Sequence, residues 1–328
     1  MIIHGPSHAQ YDVDLGPVFI TDWYHQEYYD IIKVIMSMDN THWNLFSQSV
    51  WVNGKGASDC SKVTEGTPCD PAKAQNARFS FKSGKTHLLR LINAGAEGFE
   101  YSSIDEHQIT VIANDFVPII PYNTTVVTFG IVGEALAELR YEGADLSKLP
   151  KSEAQPFTDP GTYLDDPLEK TTPCYSIKGI SEPDTVVVYN INKTINATGQ
   201  QKWQVNDSAF RGNYNNPLML LTQQGNISHP DDRELNVYDF SKNKTVRMIL
   251  KNYSPSGNPS FTRAWPLHCQ IAWYVSEELH VKIMDQPHKF KSKDVSVEAE
   301  ETCKKWNEYS DHHVVEQIDS GLRMMEKE

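Results

Sequence analysis

The residues best suited to chemistry lie close together, in the run Pro266-Leu267-His268-Cys269-Gln270-Ile271-Ala272-Trp273-Tyr274-Val275-Ser276-Glu277-Glu278-Leu279. Along a strand, side chains alternate between faces, so positions 268 and 270 point one way and Cys269 the other. A thiolate with two imidazoles and a weak axial group makes a blue-copper environment. Here the thiolate and one imidazole are present, at Cys269 and His268. Gln270 offers only a neutral carbonyl oxygen. Tyr274 offers a phenol whose ordinary pKa of about 10 makes it a poor ligand at neutral pH.

This run resembles the last copper-binding motif of the multicopper oxidases, and most closely that of ascomycete laccases. There the pattern is His-Cys-His-Ile-Ala-Trp-His, followed after a few residues by an axial Leu or Met. The match extends through Ile271-Ala272-Trp273 and Val275-Ser276. The resemblance implies that Cys269 belongs to a blue copper, His268 to a coupled copper pair, and Leu279 to the axial position. Gln270 and Tyr274 then stand where the family has imidazoles, as lost ligand positions. In the family, Cys and its neighbours form the covalent bridge that carries electrons from the substrate side to the oxygen side.

Such a motif needs strands to hold it, and the rest of the chain supplies strand patterns. Strand formers and turn formers dominate, and long amphipathic helical patterns are rare before the tail, which predicts an all-β class. Strands are expected over 18–23, 50–53, 77–81, 88–93, 107–115, 185–189, 202–211, 218–221 and 245–252, with alternate residues of 108–113 facing a core. Residues 134–140 resemble a last strand before a linker, although good helix formers also permit a short helix there. Residues 295–309 form a helical pattern whose acidic start suits the helix dipole.

The resemblance covers nearly the whole chain and implies cupredoxin-like Greek-key β-sandwich domains, one a remnant and two incomplete, with a short C-terminal helix. The implied division is 1–45 as the remnant of a first domain, 46–145 as a second, 146–184 as a linker, 185–290 as a third, and 291–328 as helix and tail. The resemblance implies that a segment is excised between Gly133 and Glu134. Residues 256–263 stand in place of a His-Pro-x-His-Leu-His-Gly segment, so further ligand-bearing strands are missing. Gln317-Ile318-Asp319-Ser320-Gly321-Leu322 resembles the family's C-terminal processing signal, with cleavage after Leu322. Deleted strands would leave sheet edges and apolar faces uncovered, an aggregation hazard.

The other candidate groups have plainer readings. His25, His4 and His8 read as exposed loop histidines, His87 and His107 as structural or exposed, and His312-His313 as an exposed pair. Asp115 and Glu97 border the family's substrate pocket but read first as solvated turn carboxylates. Asp165, Asp166 and Glu169 read as solvated linker groups rather than a cation site.

The chain has 328 residues and a formal charge of −13, which argues against a nucleic-acid partner and against affinity for a membrane surface. No apolar run is long enough to span a bilayer. The start, Met1-Ile2-Ile3-His4-Gly5-Pro6, has none of the features of a signal peptide. Sequons at Asn123, Asn192, Asn196, Asn206, Asn226, Asn243 and Asn252 nevertheless suit a secreted glycoprotein, and the family is extracellular. Of five cysteines, Cys60 and Cys69 share one loop and are disulfide candidates, leaving Cys174 and Cys303 without assigned partners.

The family's activity is one-electron oxidation of phenolic donors coupled to reduction of dioxygen to water, with copper as cofactor and a monomer as the acting unit. With so few ligands kept, the expectation is a catalytically impaired or inactive laccase-like chain. A non-catalytic cupredoxin-like binding or structural protein is the alternative. A single-copper electron carrier, recruiting a nearby histidine such as His280, is the second.

Overall fold

A computed structural model describes residues 2, 7–35, 47–56, 60–63, 68–72, 75–96, 101–128, 136–153, 168–195, 199, 201–214, 217–226, 233–240, 245–253, 267–268, 275–284 and 297–313. Strands dominate these residues, as the all-β expectation required. The chain divides into two compact units, residues 1–31 with 42–179, and residues 32–41 with 180–328.

The first unit is built on β1 (Val13–Trp23), which alternates cleanly: Val18, Ile20 and Asp22 are buried, while Phe19 and Trp23 face outward. β2 (Ser49–Val52) pairs with it antiparallel, and β3 (Ala77–Phe81) and β4 (His87–Asn93) follow. β4 lies on the other side of β1, in parallel. The inward residues Val18, Ile20, Val50, Val52 and Ala77 form one core, with Phe79, Leu89 and Leu91 against it. Asn53 and Gly54 turn the chain after β2 with φ of 49° and 71°, values that Gly and Asn tolerate best.

Next come β5 (Tyr101–Ser103), β6 (Ile109–Asn114), β7 (Val117–Thr124), β8 (Val126–Thr128) and β9 (Ala137–Tyr141). β5 pairs with β8 and β6 with β7. The ambiguous segment near 134–140 is strand where it is described. β9 runs parallel to β3, and buried Arg140 donates to Glu138 and to the carbonyls of Asp145 and Lys148. Those tertiary partners override the helical propensity of the segment. Within β6, Ile109, Val111 and Ile112 are half-buried and none is fully enclosed, a shallower core than the alternation implied.

The second unit is built on β10 (Thr185–Ile195), flanked by β11 (Gln201–Val205) antiparallel and β13 (Val246–Asn252) parallel. β12 (Val237–Asp239), β14 (Leu267–His268) and β15 (His280–Met284) form its other sheet, with β15 in the middle. Tyr189, Ile191, Trp203, Val205, Leu279 and Val281 make its core.

Among the described residues, three α-helices accompany these strands: α1 (Tyr28–Ile35), α2 (Leu218–Gln223) and α3 (Val297–His312). α2 corrects the expected strand at 218–221. Pro217 sits at its start, none of Leu218, Met219, Leu220 and Leu221 is β-branched, and Leu218 and Thr222 are buried one turn apart. A short apolar run does not by itself distinguish the two periods. α3 falls where the tail helix was expected, with Glu298 and Glu300 in its first turn. None of its residues is fully buried, and Trp306 meets Tyr214 at 5.8 Å between ring centroids.

The loop disulfide Cys60–Cys69 is formed, with Cα atoms 5.7 Å apart, while Cys174 and Cys303 are free thiols. His8 is exposed, and its Nε2 lies 3.1 Å from the Ile119 carbonyl oxygen. His25 departs from the exposed reading: it is half-buried, and its Nε2 is enclosed without a hydrogen-bond partner. His87 stacks on Phe81, and His107 lies 2.7 Å from the Tyr141 hydroxyl, so both are structural. His312 ends α3 and His313 stacks on Tyr309, both at the surface. Among the described residues, no helix is long and apolar enough to cross a membrane.

Candidate metal centre

The residues that follow the copper-like motif are fixed from two directions. First, β14 and β15 pair antiparallel, with Leu267 opposite Val281 and His268 opposite His280. Second, the turn before β15 is tied to β11: the amide of Trp203 donates to the Glu277 carbonyl at 2.9 Å, and that of Phe210 to the Glu278 carbonyl at 3.2 Å. Glu278 has φ of 76°, a left-handed conformation uncommon for a residue with a side chain. Hydrogen bonds on both sides hold it there, from the Glu278 amide to Val275 and from the His280 amide back to Glu278.

Two buried ion pairs complete the tie. Lys193 on β10 meets Glu277 at 2.9 Å, with side-chain exposures of 7% and 3%. Lys202 on β11 meets Glu278 at 2.7 Å. The Trp203 indole N–H also donates to Glu277 at 3.0 Å, and the Lys193 ammonium sits 5.4 Å from the centre of a Trp203 ring. Burial drives both partners of the first pair toward neutrality: it lowers the Lys193 pKa and raises that of Glu277, while their mutual attraction opposes each shift. Removing two charges from water is costly, and good geometry with further hydrogen bonds is what offsets it.

Of the proposed metal residues, Leu279 is buried in the core between Trp203 and Val281, which gives the axial position a fixed backbone and an apolar side chain. His268 lies on β14 by its backbone. Cys269, Gln270 and Tyr274 lie outside the described residues, as do His4, Glu97, Asp165, Asp166, Asn196, Asn243 and Leu322. The two joints expected at 133–134 and 256–263 also lie outside them. His280 is half-buried and its ring packs on Phe210 at 4.3 Å between centroids. Asp115 is in an exposed turn with φ of 50°, and Glu169 is exposed in a short 3-10 turn (Leu168–Thr171). Among the described residues, no group of three or more His, Cys, Asp or Glu side chains converges on a point.

The donor types in the motif do not fit a full copper set. Cys269 and an apolar Leu279 leave a blue copper without either imidazole, and His268, on the opposite face of the strand, is a single imidazole for a copper pair. The clamp of Glu277 and Glu278 on Lys193 and Lys202 was not foreseen from the sequence. Its only signal there was two acidic residues inside an otherwise apolar strand-and-turn pattern.

The sequons differ in availability. Asn123, Asn192, Asn226 and Asn252 are exposed. Asn206 is half-buried, its carbonyl oxygen accepts from Asn190, and its amide donates to the Tyr238 hydroxyl at 2.8 Å.

The architecture finds counterparts in known proteins. The multicopper oxidase family model matches residues 14–134. Laccase-2 of Botryotinia fuckeliana is 25% identical over an alignment of 416 residues that takes in 98% of this chain and 68% of the relative. Since this chain has 328 residues, the relative carries internal segments with no counterpart here. Dihydrogeodin oxidase of Aspergillus terreus is 33% identical over 131 residues, which is 40% of this chain and 21% of that protein. The crystal structure of the laccase from Botrytis aclada superposes with a TM-score of 0.76 at 23% identity, covering 98% of this chain and 73% of that one. Residues 14–134 thus match the multicopper oxidase family, and over nearly its whole length the chain is similar to a fungal laccase in sequence and shares the cupredoxin-like β-sandwich fold.

Proposed function

We propose that this chain keeps the sandwich of a laccase-like multicopper oxidase but does not perform the family's oxidation of phenols by dioxygen. The observation that carries this reading is the donor set: His268 and Cys269 are followed by Gln270 and Tyr274, where the family pattern has imidazoles. A lone thiolate and a lone imidazole neither enforce a geometry nor exclude competing metals. Bound copper would supply single-electron transfer. The residues named here would give it only His268 and Cys269 as donors, with Leu279 as an apolar neighbour.

The test is direct. Purified protein is loaded with copper, its metal content and visible spectrum are recorded, and oxygen uptake is followed with a phenolic donor. The expected result is substoichiometric copper, no intense thiolate-to-copper band and no uptake above buffer. A blue preparation that consumes oxygen would overturn the reading.

A second reading, a non-catalytic cupredoxin-like binding or structural protein, is favoured by the clamp around Glu277. Two buried ion pairs hold the turn at 275–279, so the sandwich has its own means of fixing that region. The single-copper carrier remains a third reading, in which His280, paired with His268 across β14 and β15, is the histidine recruited. A blue band without oxygen uptake would select it. The glycoprotein and extracellular readings rest on the exposed sequons and on the family. Glycan occupancy at Asn123, Asn192, Asn226 and Asn252 in protein from a secreting fungal host tests them.

A further inference from the structure

In the second unit one strand stands exposed along its length, and a sequon ends that strand. Among the described residues β13 has a neighbour on one side only, β10, with Val187 beside Met248, Tyr189 beside Leu250 and Ile191 beside Asn252. Partners in such a ladder lie on the same face, and alternate residues along a strand share that face. Tyr189 and Ile191 are enclosed in the core, at 0% and 1% exposure, yet Met248 and Leu250 beside them are each 40% exposed. Among the described residues, none from β13 belongs to that core. The sheet therefore presents an apolar row one strand beyond where its cover stops.

Open edges with exposed apolar side chains pair with other chains, and proteins blunt them with charge, with proline or with a cover. The two faces of β13 differ in this respect. On the outward face Ile249 stands between Arg247 and Lys251, both exposed, so charges flank it. The inward face carries Met248 and Leu250, with no charged residue from Val246 to Asn252. Its one polar group is Asn252, which is exposed and opens the sequon Asn252-Tyr253-Ser254. Leu250 and Met248 lie two and four positions back along the strand, about 7 and 13 Å at the usual rise.

We propose that an N-linked glycan on Asn252 lies along this inward face and covers Leu250 and Met248, so that the β13 edge does not pair with a second copy of the chain. The glycan deepens the glycoprotein reading and rests on it, and it is independent of the copper reading. The modification joins Asn252 Nδ2 to the anomeric carbon of a lipid-pyrophosphate-linked oligosaccharide. The anomeric C–O bond breaks, the lipid pyrophosphate leaves and one amide proton is released. The sugars next to the asparagine are N-acetylglucosamines, whose ring C–H faces and acetyl methyls suit an apolar row, while their hydroxyls keep the surface soluble. A second strand docking on β13 would lay its own side chains against Met248 and Leu250, in the space these sugars fill. Asn192 does not serve this row, because alternation puts it on the opposite face of β10 from Ile191.

The test is sedimentation velocity of the full chain secreted from a fungal host, with glycopeptide mass spectrometry to read the sequons. The same chain from a bacterial host carries no such glycan and is the parent for solution measurements. Asn252 is expected to be occupied and the secreted protein to stay monomeric, whereas the parent associates as its concentration rises. Asn252→Gln and Ser254→Ala each remove the sequon and are expected to about double the weight-average mass of the secreted protein at the same concentration. Asn123→Gln, in the other unit, is expected to leave that mass unchanged. Should neither sequon variant be secreted, peptide N-glycosidase digestion of the folded secreted protein is expected to start the same association. Occupied Asn123 and Asn192 beside an unmodified Asn252 would overturn this proposal alone, whereas no glycan at any sequon would overturn the glycoprotein reading with it. A digested protein as monomeric as the secreted one would overturn the proposal. So would an Asn123→Gln protein that associates as strongly as Asn252→Gln.

Discussion

The clamp between Lys193 and Glu277 makes a quantitative claim. At 2.9 Å, and with both side chains more than nine-tenths buried, the pair is one of the least solvated charge contacts among the described residues. Its gross attraction at an effective dielectric near 20 is about 6 kcal/mol, most of which offsets the desolvation of the two ions. The net worth of the intact pair is therefore small, whereas removing one partner strands the other in the interior. Lys193→Met leaves the Glu277 carboxylate with the Trp203 indole N–H and only the weaker attraction of Lys202. Glu277→Gln keeps an acceptor for that N–H but strands the ammonium. Each single substitution is expected to cost about 3–5 kcal/mol.

The double variant Lys193→Met with Glu277→Gln carries no stranded charge and should lose less than the two single losses added together. The expected coupling is about 2 kcal/mol or more. Urea unfolding of the four proteins, read by far-ultraviolet circular dichroism and by tryptophan emission, measures this cycle. A Lys193→Met protein within about 1 kcal/mol of the parent, or a coupling near zero, would refute the reasoning. Either result would mean that water reaches the pair and that the turn before Leu279 is held by its backbone hydrogen bonds and the Lys202–Glu278 pair.

Further outcomes follow from other contacts. Tyr189 is fully buried with its hydroxyl unpartnered, and burial pushes the phenol's pKa well up, so Tyr189→Phe is expected to leave stability unchanged or raise it by about 1 kcal/mol in the same urea assay. Asp12 accepts from the Thr86 amide and hydroxyl and from Lys85, and these bonds hold its pKa down at about 2, below the ordinary 3.8. A depressed carboxylate pKa stabilises above the unfolded value and stops doing so as pH falls through the folded one. The stability gap between parent and Asp12→Asn, followed by urea midpoints, is therefore expected to be constant above about pH 5, to shrink below it and to close as pH falls through about 2. Among the described residues β13 is an edge strand whose Met248, Ile249 and Leu250 are exposed, and exposed apolar edges pair with other chains. Concentration-dependent association in sedimentation velocity is expected for the parent and should be reduced by Ile249→Lys. A parent that stays monomeric at high concentration would count against this.

Much of the molecule was legible in the residues themselves, because strands announce themselves locally. Alternation between Val18 and Trp23 gave β1 its inward and outward faces, and the β-branched run from Thr185 gave the start of β10. Two cysteines in one short loop gave the disulfide, and the acidic opening of α3 gave the tail helix. The resemblance, carried by the residues around His268 and Cys269, led to the family and hence to the sandwich. What short windows do not contain is the partner across the core. Leu218 to Leu221 is apolar whichever period it follows, and Pro217 with the burial of Leu218 and Thr222 made it a helix.

Residue types and order thus determined the strands, the disulfide and the donor inventory of the motif, since each depends on side-chain chemistry within a few positions. Tertiary structure alone decided that Glu277 is matched to a lysine from β10, that Leu279 is core, and that Trp23, His25 and Trp51 share one cleft. Burial and desolvation set those outcomes, and both depend on residues far apart in the chain that folding brings together.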